Sequence, residues 1–149
     1  MRAVVDTSVW VSAVLNPSGP PAHVLEALQD GRFSLVTSEP LLAELADVIV
    51  RPRLVRRYNL TTEKVTAVLR VLREGELTEV TGTVRVCRDP NDDMVIETAI
   101  NGHADLLVSR DDDLKRAPEV AVTLAQHGIR VVSVQRFLDA LTEESPAHS

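Results

Sequence analysis

The chain has 149 residues, of which 44% are hydrophobic and 26% are charged, and this is typical of one compact domain. It contains only two Phe, one Trp and one Tyr, which disfavours the nucleic-acid-binding modules that stack bases on an aromatic platform. The one cysteine, Cys87, cannot form an internal disulfide and has no Cys or His partners at zinc-site spacing. This cysteine usage indicates a reducing compartment.

The N-terminal sequence predicts neither secretion nor membrane insertion. The acid Asp6 comes before the apolar core of a signal peptide could form, and no apolar run approaches the length of a membrane span. We therefore expect a cytoplasmic protein that makes no membrane contact.

The net charge of −6 is concentrated in one segment. Residues 88–113 hold eight acids and two arginines, whereas the other 123 residues hold 14 acids and 14 bases. Because the whole imbalance falls in this segment, it is the first place to look for chemistry.

In the first half of the chain, the sequence predicts strands that alternate with helices. The elements are a strand at 3–5, a helix over 9–15, a helix over 20–30, a strand at 33–36, a helix over 40–49, a basic turn or short helix at 51–58 and a helix over 62–74. Ser38 and Thr61 occupy N-cap positions of two helices, and Gly31 follows a helix end.

The alternation continues in the second half. The elements are a strand-like run over 77–86 interrupted at Gly82, a helix over 89–101, a strand at 106–108, a helix over 119–126, a strand at 130–134 and a helix over 136–141. We assign residues 1–142 to one domain and residues 143–149 to a flexible C-terminal tail.

This order predicts an α/β fold with a parallel sheet covered on both faces. Ligands of such sheets bind beyond the carboxyl ends of the strands. Asp6 and Ser109 each follow a predicted strand, so we expect them at the same edge of the sheet. Periodicity does not determine the order of the strands.

Asp6 begins the tripeptide Asp6-Thr7-Ser8 at the end of the first strand. One interpretation is that Asp6 or Ser8 caps the following helix. The other is that Asp6 holds a cation in a cleft, assisted by the hydroxyls of Thr7 and Ser8.

Asp92 lies at the centre of an apolar helix stripe. With 100° per residue, the apolar residues from Val95 to Ile100 fall on the same face as Asp92, while Asp93 falls at the edge and Glu97 points away. An inward carboxylate must be paired, hydrogen-bonded, protonated or metal-bound, because an isolated buried charge is strongly disfavoured.

Two further acidic features follow. The run Asp111-Asp112-Asp113 forms a strand-to-helix turn, where one like-charge pair at about 5 Å costs roughly 3 kcal/mol before solvent relaxes; a cation would relieve this cost. Glu44 falls on the flank of its helix, a position that permits either a cleft or solvent.

Four segments together resemble the PIN domain, and more narrowly the VapC-like ribonuclease toxins of toxin–antitoxin systems. They are VVDTSV at 4–9, SEPLLAEL at 38–45, DPNDD at 89–93 and ADLLVSRDDDL at 104–114. The resemblance implies a three-layer α/β/α fold with a central parallel sheet.

The resemblance also implies the site residues. Four acids match those of the family in chain order, namely Asp6, Glu44, Asp92 and Asp111. Asp113 matches a supporting metal-binding acid, and Ser109 matches a small hydroxyl residue. Asp93 remains a competitor for the role of Asp92, and either Asp111 or Asp113 could contact the metal.

The implied activity is metal-dependent hydrolysis of RNA by an endoribonuclease. Carboxylates suit Mg²⁺ or Mn²⁺, as one or two ions. The family further implies a cognate antitoxin protein and a homodimer. Basic residues could hold the RNA backbone or form solvated charged turns; they are Arg51, Arg53, Arg56, Arg57, Arg110, Lys115 and Arg116.

The alternative from another class is a non-catalytic module that binds Mg²⁺ for regulation or docks a partner. A phospho-acceptor receiver domain needs a lysine on a late strand, and this chain has lysine only at positions 64 and 115. A haloacid-dehalogenase-type phosphatase needs a second aspartate where Ser8 stands.

Overall fold

The structure is a computed structural model that describes residues 1–84, 90–110 and 118–144. Within these ranges there are five strands and eight helices. The strands are β1 (Arg2–Val5), β2 (Ser34–Thr37), β3 (Glu76–Leu77), β4 (Leu106–Val108) and β5 (Arg130–Val132). The helices are α1 (Thr7–Leu15), α2 (Pro20–Gln29), α3 (Glu39–Ile49), α4 (Pro52–Tyr58), α5 (Thr62–Arg73), α6 (Pro90–Asn101), α7 (Pro118–Gln126) and α8 (Val134–Glu144).

The five strands form one parallel sheet in the order β3-β2-β1-β4-β5. Strand β1 is central, with Ala3 opposite Leu35 of β2 on one side and Leu106 of β4 on the other. All strand ends of one kind therefore lie along one edge, and the carboxyl ends of β1 and β4 are adjacent.

Helices cover both faces of the sheet, which confirms the three-layer α/β/α fold. Successive residues of a strand pack into two separate cores, because their side chains point to opposite faces of the sheet. One core contains Ala3, Val5, Leu35, Leu106 and Val108 together with residues of α1, α2, α3, α5 and α8. The other contains Val4, Val36 and Leu107 together with residues of α6 and α7.

The two predicted helix caps have different outcomes. Thr61 caps α5 as expected, since its Oγ1 accepts a hydrogen bond from the Lys64 N–H at 3.1 Å. Ser38 occupies the N-cap position of α3 but makes no side-chain capping bond. Its buried hydroxyl instead lies 2.9 Å from Thr98 Oγ1 of α6, so the serine connects two helices across the core.

The predicted strand over 77–86 is wrong for most of the part that the structure describes. Only Glu76–Leu77 pairs with β2, and residues 78–84 are not in a strand. The reason is Glu97, which the helical wheel placed away from the apolar stripe and which is nevertheless 1% exposed. Residues 81–84 cover its carboxylate and donate their backbone N–H groups to it instead of to a neighbouring strand.

Most other boundaries agree with the prediction within a few residues. The predicted helix start at Asp89 lies outside the described residues, and α6 begins at Pro90. The last helix continues to Glu144, and residues 145–149 are also outside the description. No helix in the described ranges is long and apolar enough to cross a membrane.

Candidate functional site

Asp6 lies where β1 ends and α1 begins. Its backbone N–H donates to the Val108 carbonyl at 2.9 Å, which fixes it beside the end of β4. The residue is in the N-cap position of α1, yet its side chain makes no capping hydrogen bond. Ser109 Oγ donates to Asp6 Oδ2 at 3.2 Å, and both residues are buried. The residue that follows β4 thus helps to orient the Asp6 carboxylate.

Glu44 lies half-buried on α3 and faces the start of α1. Thr7 Oγ1 lies 3.4 Å from Glu44 Oε2 and donates to it. Thr7, the residue after Asp6, therefore contacts Glu44. The tripeptide at 6–8 thus links two candidate acids.

Asp92 is half-buried in the first turn of α6. An acid at this position complements the helix dipole. The side chain lines a cavity of about 540 Å³, whereas Asp93 is not among the lining residues. The residues that line this acidic cavity are Asp6, Thr7, Ser8, Val11, Ser12, Glu44, Val48, Asp92 and Arg110.

The fold therefore brings together three acids that are far apart in sequence, from β1, α3 and α6. Asp6 and Asp92 are separated by 86 positions in the chain, but the parallel sheet places their elements at one edge. Of the four acids that the sequence resemblance implies, the structure does not describe the last. Asp111 and its neighbours Asp112 and Asp113 lie outside the described residues, as do Lys115 and Arg116.

The basic residues on and beside α4 are exposed to solvent. Arg51 pairs with Asp47 at 3.4 Å, but both side chains are more than half exposed, so this pair contributes little stability. Arg56 Nε donates to the Pro52 carbonyl at 3.4 Å. Arg53 and Arg57 are also exposed. Arg110 is separate from this group, because it lines the acidic cavity and donates to Ser12 Oγ.

The chemistry of the cavity lining fits a hard divalent cation. Carboxylate and hydroxyl oxygens are the ligands that Mg²⁺ and Mn²⁺ prefer, and Mg²⁺ commonly uses only one or two carboxylates while it retains water. In residues 1–84, 90–110 and 118–144, no three Asp, Glu, His or Cys side chains converge closely enough to hold a metal ion. The described acids thus supply part of a donor set.

Glu97 is a residue whose importance sequence analysis missed. Its carboxylate accepts backbone N–H bonds from Thr81, Gly82, Thr83 and Val84, at 2.5–3.4 Å. Burial raises the pKa of Glu97, but these four donors outweigh it and the net pKa is lowered from its ordinary value. Glu97 therefore anchors the segment that precedes α6, the helix that bears Asp92.

Comparison with known proteins finds a matching family model and a similar sequence. A family model described as the PIN domain matches residues 2–113, a range that includes Asp6, Glu44 and Asp92. An uncharacterized protein of Methanocaldococcus jannaschii is 28% identical over 115 residues, which cover 76% of this chain and 73% of that protein.

A solved structure shares the fold. It is VapBC2 from Rickettsia felis bound to a DNA fragment from their promoter, and it matches with a TM-score of 0.56 at 18% identity. The match covers 89% of this chain and 98% of that chain. At this level of identity the similarity concerns the fold alone.

Proposed function

Because the chain belongs to the PIN domain family, whose members are generally nucleases, we propose that it is a metal-dependent endoribonuclease and the toxin of a toxin–antitoxin pair. One observation above all supports this: Asp6, Glu44 and Asp92 line a single cavity at the carboxyl edge of the parallel sheet. This edge is where α/β folds bind their ligands.

We assign the metal-binding role to Asp6, Asp92 and Asp111, with Asp113 in support. When bound, one or two Mg²⁺ or Mn²⁺ ions would neutralise the phosphate and promote ionisation of water. Ser109 and Thr7 would hold the carboxylates of Asp6 and Glu44 in place through the hydrogen bonds described above. Thr7 and Ser8 complete the polar wall of the cavity.

Glu44 would orient the attacking water and accept its proton. The water oxygen forms a bond to phosphorus while the bond from phosphorus to the leaving ribose oxygen breaks, in line with the attack. The half-buried position of Glu44 and the contact from Thr7 suit a residue that acts on water rather than on the metal directly.

RNA must overcome the negative charge of this cavity. Arg110 at the cavity wall and the four arginines on and beside α4 provide positive contacts for the phosphate backbone. Each such contact releases counterions and steepens the salt dependence of binding. We also assign an RNA-binding role to Lys115 and Arg116. The activity would take place in the cytoplasm, where RNA is abundant.

A toxin of this kind needs a protein that blocks it. The fold is shared with VapBC2, and we propose a small antitoxin that places a basic side chain in the acidic cavity, and a homodimer of the toxin. The apolar stripes of α2 and α5 already contribute buried residues to the chain's own fold, so a dimer would use other surfaces.

Cleavage of labelled RNA by the wild type and by Asp6→Asn, in Mg²⁺, Mn²⁺ or EDTA, tests the proposal. Asp30→Asn is the matched control, because Asp30 is an exposed aspartate at the end of α2. We expect metal-dependent cleavage by the wild type and by Asp30→Asn, and none by Asp6→Asn. If the wild type binds the metal but does not cleave RNA, the result would instead support the alternative of a non-catalytic module that binds Mg²⁺ for regulation.

A further inference from the structure

A second cavity adjoins the acidic one. It has a volume of about 600 Å³, within the range of about 300–1,000 Å³ found for small-molecule sites. Ser12 and Arg110 line both cavities, so the two form neighbouring compartments separated by this pair. The second cavity extends from there to the ends of α1 and α4 and to the start of α8.

Tyr58 supplies the aromatic wall of the second cavity. The other three aromatic residues of the chain are Trp10, Phe33 and Phe137, and all of them are buried in the core. Tyr58 is 38% exposed, so among the Phe, Trp and Tyr rings of the chain it is the one that is open to a ligand. A single ring cannot form a platform for several bases, but it is sufficient for one.

The rest of the lining suits the edge of a nucleobase. Asn16 and Gln135 also line this cavity, and an amide side chain has both donor and acceptor atoms. Asn16 Oδ1 accepts from the Ser18 N–H at 3.3 Å, and Gln135 Nε2 donates to Asp139 Oδ1 at 3.0 Å. A base would therefore meet the amide nitrogen of Asn16 and the amide oxygen of Gln135. Bases of single-stranded RNA expose their Watson–Crick edges, and proteins read these edges with such groups while an aromatic ring stacks on the base face. Pro20 adds an apolar surface.

Two arginines lie close to the Tyr58 ring or to the cavity that it lines. The Arg57 Cζ atom is 5.5 Å from the centre of the Tyr58 ring. Arg110 lies at the boundary with the acidic cavity. A strand that places one phosphate among the acids would therefore have cations beside its next backbone positions while a base enters the second cavity.

We propose that the second cavity is a nucleobase subsite, in which Tyr58 stacks on one unpaired base of the RNA strand held at the acidic cavity. The proposal rests on the proposed function for the identity of the strand. It makes Tyr58 a binding residue that contributes affinity and base preference, separate from the acids that act on the phosphate.

The test compares binding of a short oligouridine with binding of an abasic ribose phosphate strand of the same length. Fluorescence anisotropy with end-labelled strands measures both affinities at low salt, in the Asp6→Asn chain, which is expected not to cleave them. We expect the oligouridine to bind about five- to 150-fold more tightly, because stacking on one aromatic side chain contributes on this scale. Adding Tyr58→Ala should bring the ratio close to one, whereas adding Tyr58→Phe should preserve it.

The matched control is Val122→Ala, which removes an exposed apolar side chain from α7 and should preserve the ratio. Circular dichroism establishes that each variant is folded. An unchanged ratio in the Tyr58→Ala chain, or equal binding of both strands before that change, would overturn the subsite. If the wild type cleaves RNA and the ratio does not depend on Tyr58, the subsite is wrong and the ribonuclease proposal is retained. If the ratio depends on Tyr58 and the wild type does not cleave RNA, the hydrolase proposal is wrong and the subsite is retained.

Discussion

The hydroxyl of Ser109 donates to the carboxylate of Asp6, with 3.2 Å between Oγ and Oδ2, and joins residues 103 positions apart in the chain. Both residues follow a strand, and β1 and β4 are neighbours in the sheet. Because the serine is fully buried, the bond is shielded from water and holds the carboxylate in one orientation. The relationship shows how the sheet positions the acid that we propose binds metal.

Ser109→Ala should lower the rate of RNA cleavage on the order of tenfold, which corresponds to the loss of about 1.4 kcal/mol from one hydrogen bond to a charged group. Asp6 would remain present but less well oriented, so kcat should fall more than KM rises. Single-turnover and steady-state kinetics measure the changes in kcat and KM. Ser34→Ala, at an exposed serine of β2, is the control. An unchanged kcat in Ser109→Ala would show that this bond has no positioning role.

Asp92→Asn and Asp93→Asn should have different effects, although the residues are adjacent in α6. Asp92 lines the acidic cavity and Asp93 does not, so only the first change should abolish metal-dependent cleavage. Both variants remove one negative charge from the same helix turn, which makes each the control for the other. Equal loss of activity in the two variants would contradict the assignment of the metal ligand to Asp92.

Glu97→Gln should destabilise the fold by about 2–3 kcal/mol, because an amide cannot replace a buried carboxylate that accepts four backbone N–H bonds. Urea denaturation measures this change. Glu119→Gln, at an exposed residue of α7, should change the free energy of unfolding little. If Glu97→Gln were as stable as that control, the hydrogen bonds to residues 81–84 would contribute nothing.

The stability should also depend on pH through Glu97. Its pKa is lowered in the folded chain, so the unfolded chain binds the proton more readily. The stabilisation is complete above the unfolded pKa of about 4.3 and is lost as the pH falls through the lower folded pKa. We expect the loss of stability on acidification to be smaller in Glu97→Gln, as measured by urea denaturation across this pH range.

Thr61→Ala should lower the free energy of unfolding by about 1 kcal/mol, because the cap of α5 is lost. Thermal denaturation followed by circular dichroism measures the change. Thr62→Ala alters the next residue, which is exposed and inside the helix, and should have a smaller effect. Equal effects would indicate that helix propensity, not capping, determines the difference.

Much of the architecture could be predicted because each element has a local signal. The alternation of apolar strands with amphipathic helices predicts the parallel sheet, and the position of Asp6 directly after a strand predicts its place at the sheet edge. The helical wheel of α6 distinguishes Asp92 from Asp93 because a helix has a fixed period. Glu44 lies beside Val48 in the acidic cavity, on the flank that the α3 wheel indicates.

The features that were not predicted depend on contacts between distant parts of the chain. Ser38 has the sequence position of a cap, but Thr98 of another helix competes for its hydroxyl. Glu97 is off the apolar stripe, yet residues 81–84 bury it by donating hydrogen bonds that periodicity does not reveal. The strand order and the position of Tyr58 in the second cavity are likewise consequences of tertiary packing.

Binding of Mn²⁺, followed by electron paramagnetic resonance, tests the central claim that acids from separate elements hold one divalent ion. The wild type and Asp30→Asn should bind Mn²⁺ equally, and Asp6→Asn and Asp92→Asn should each bind it far more weakly. Equal binding by all four chains would show that the ion, if bound, is held elsewhere, and the proposed metal site would be wrong.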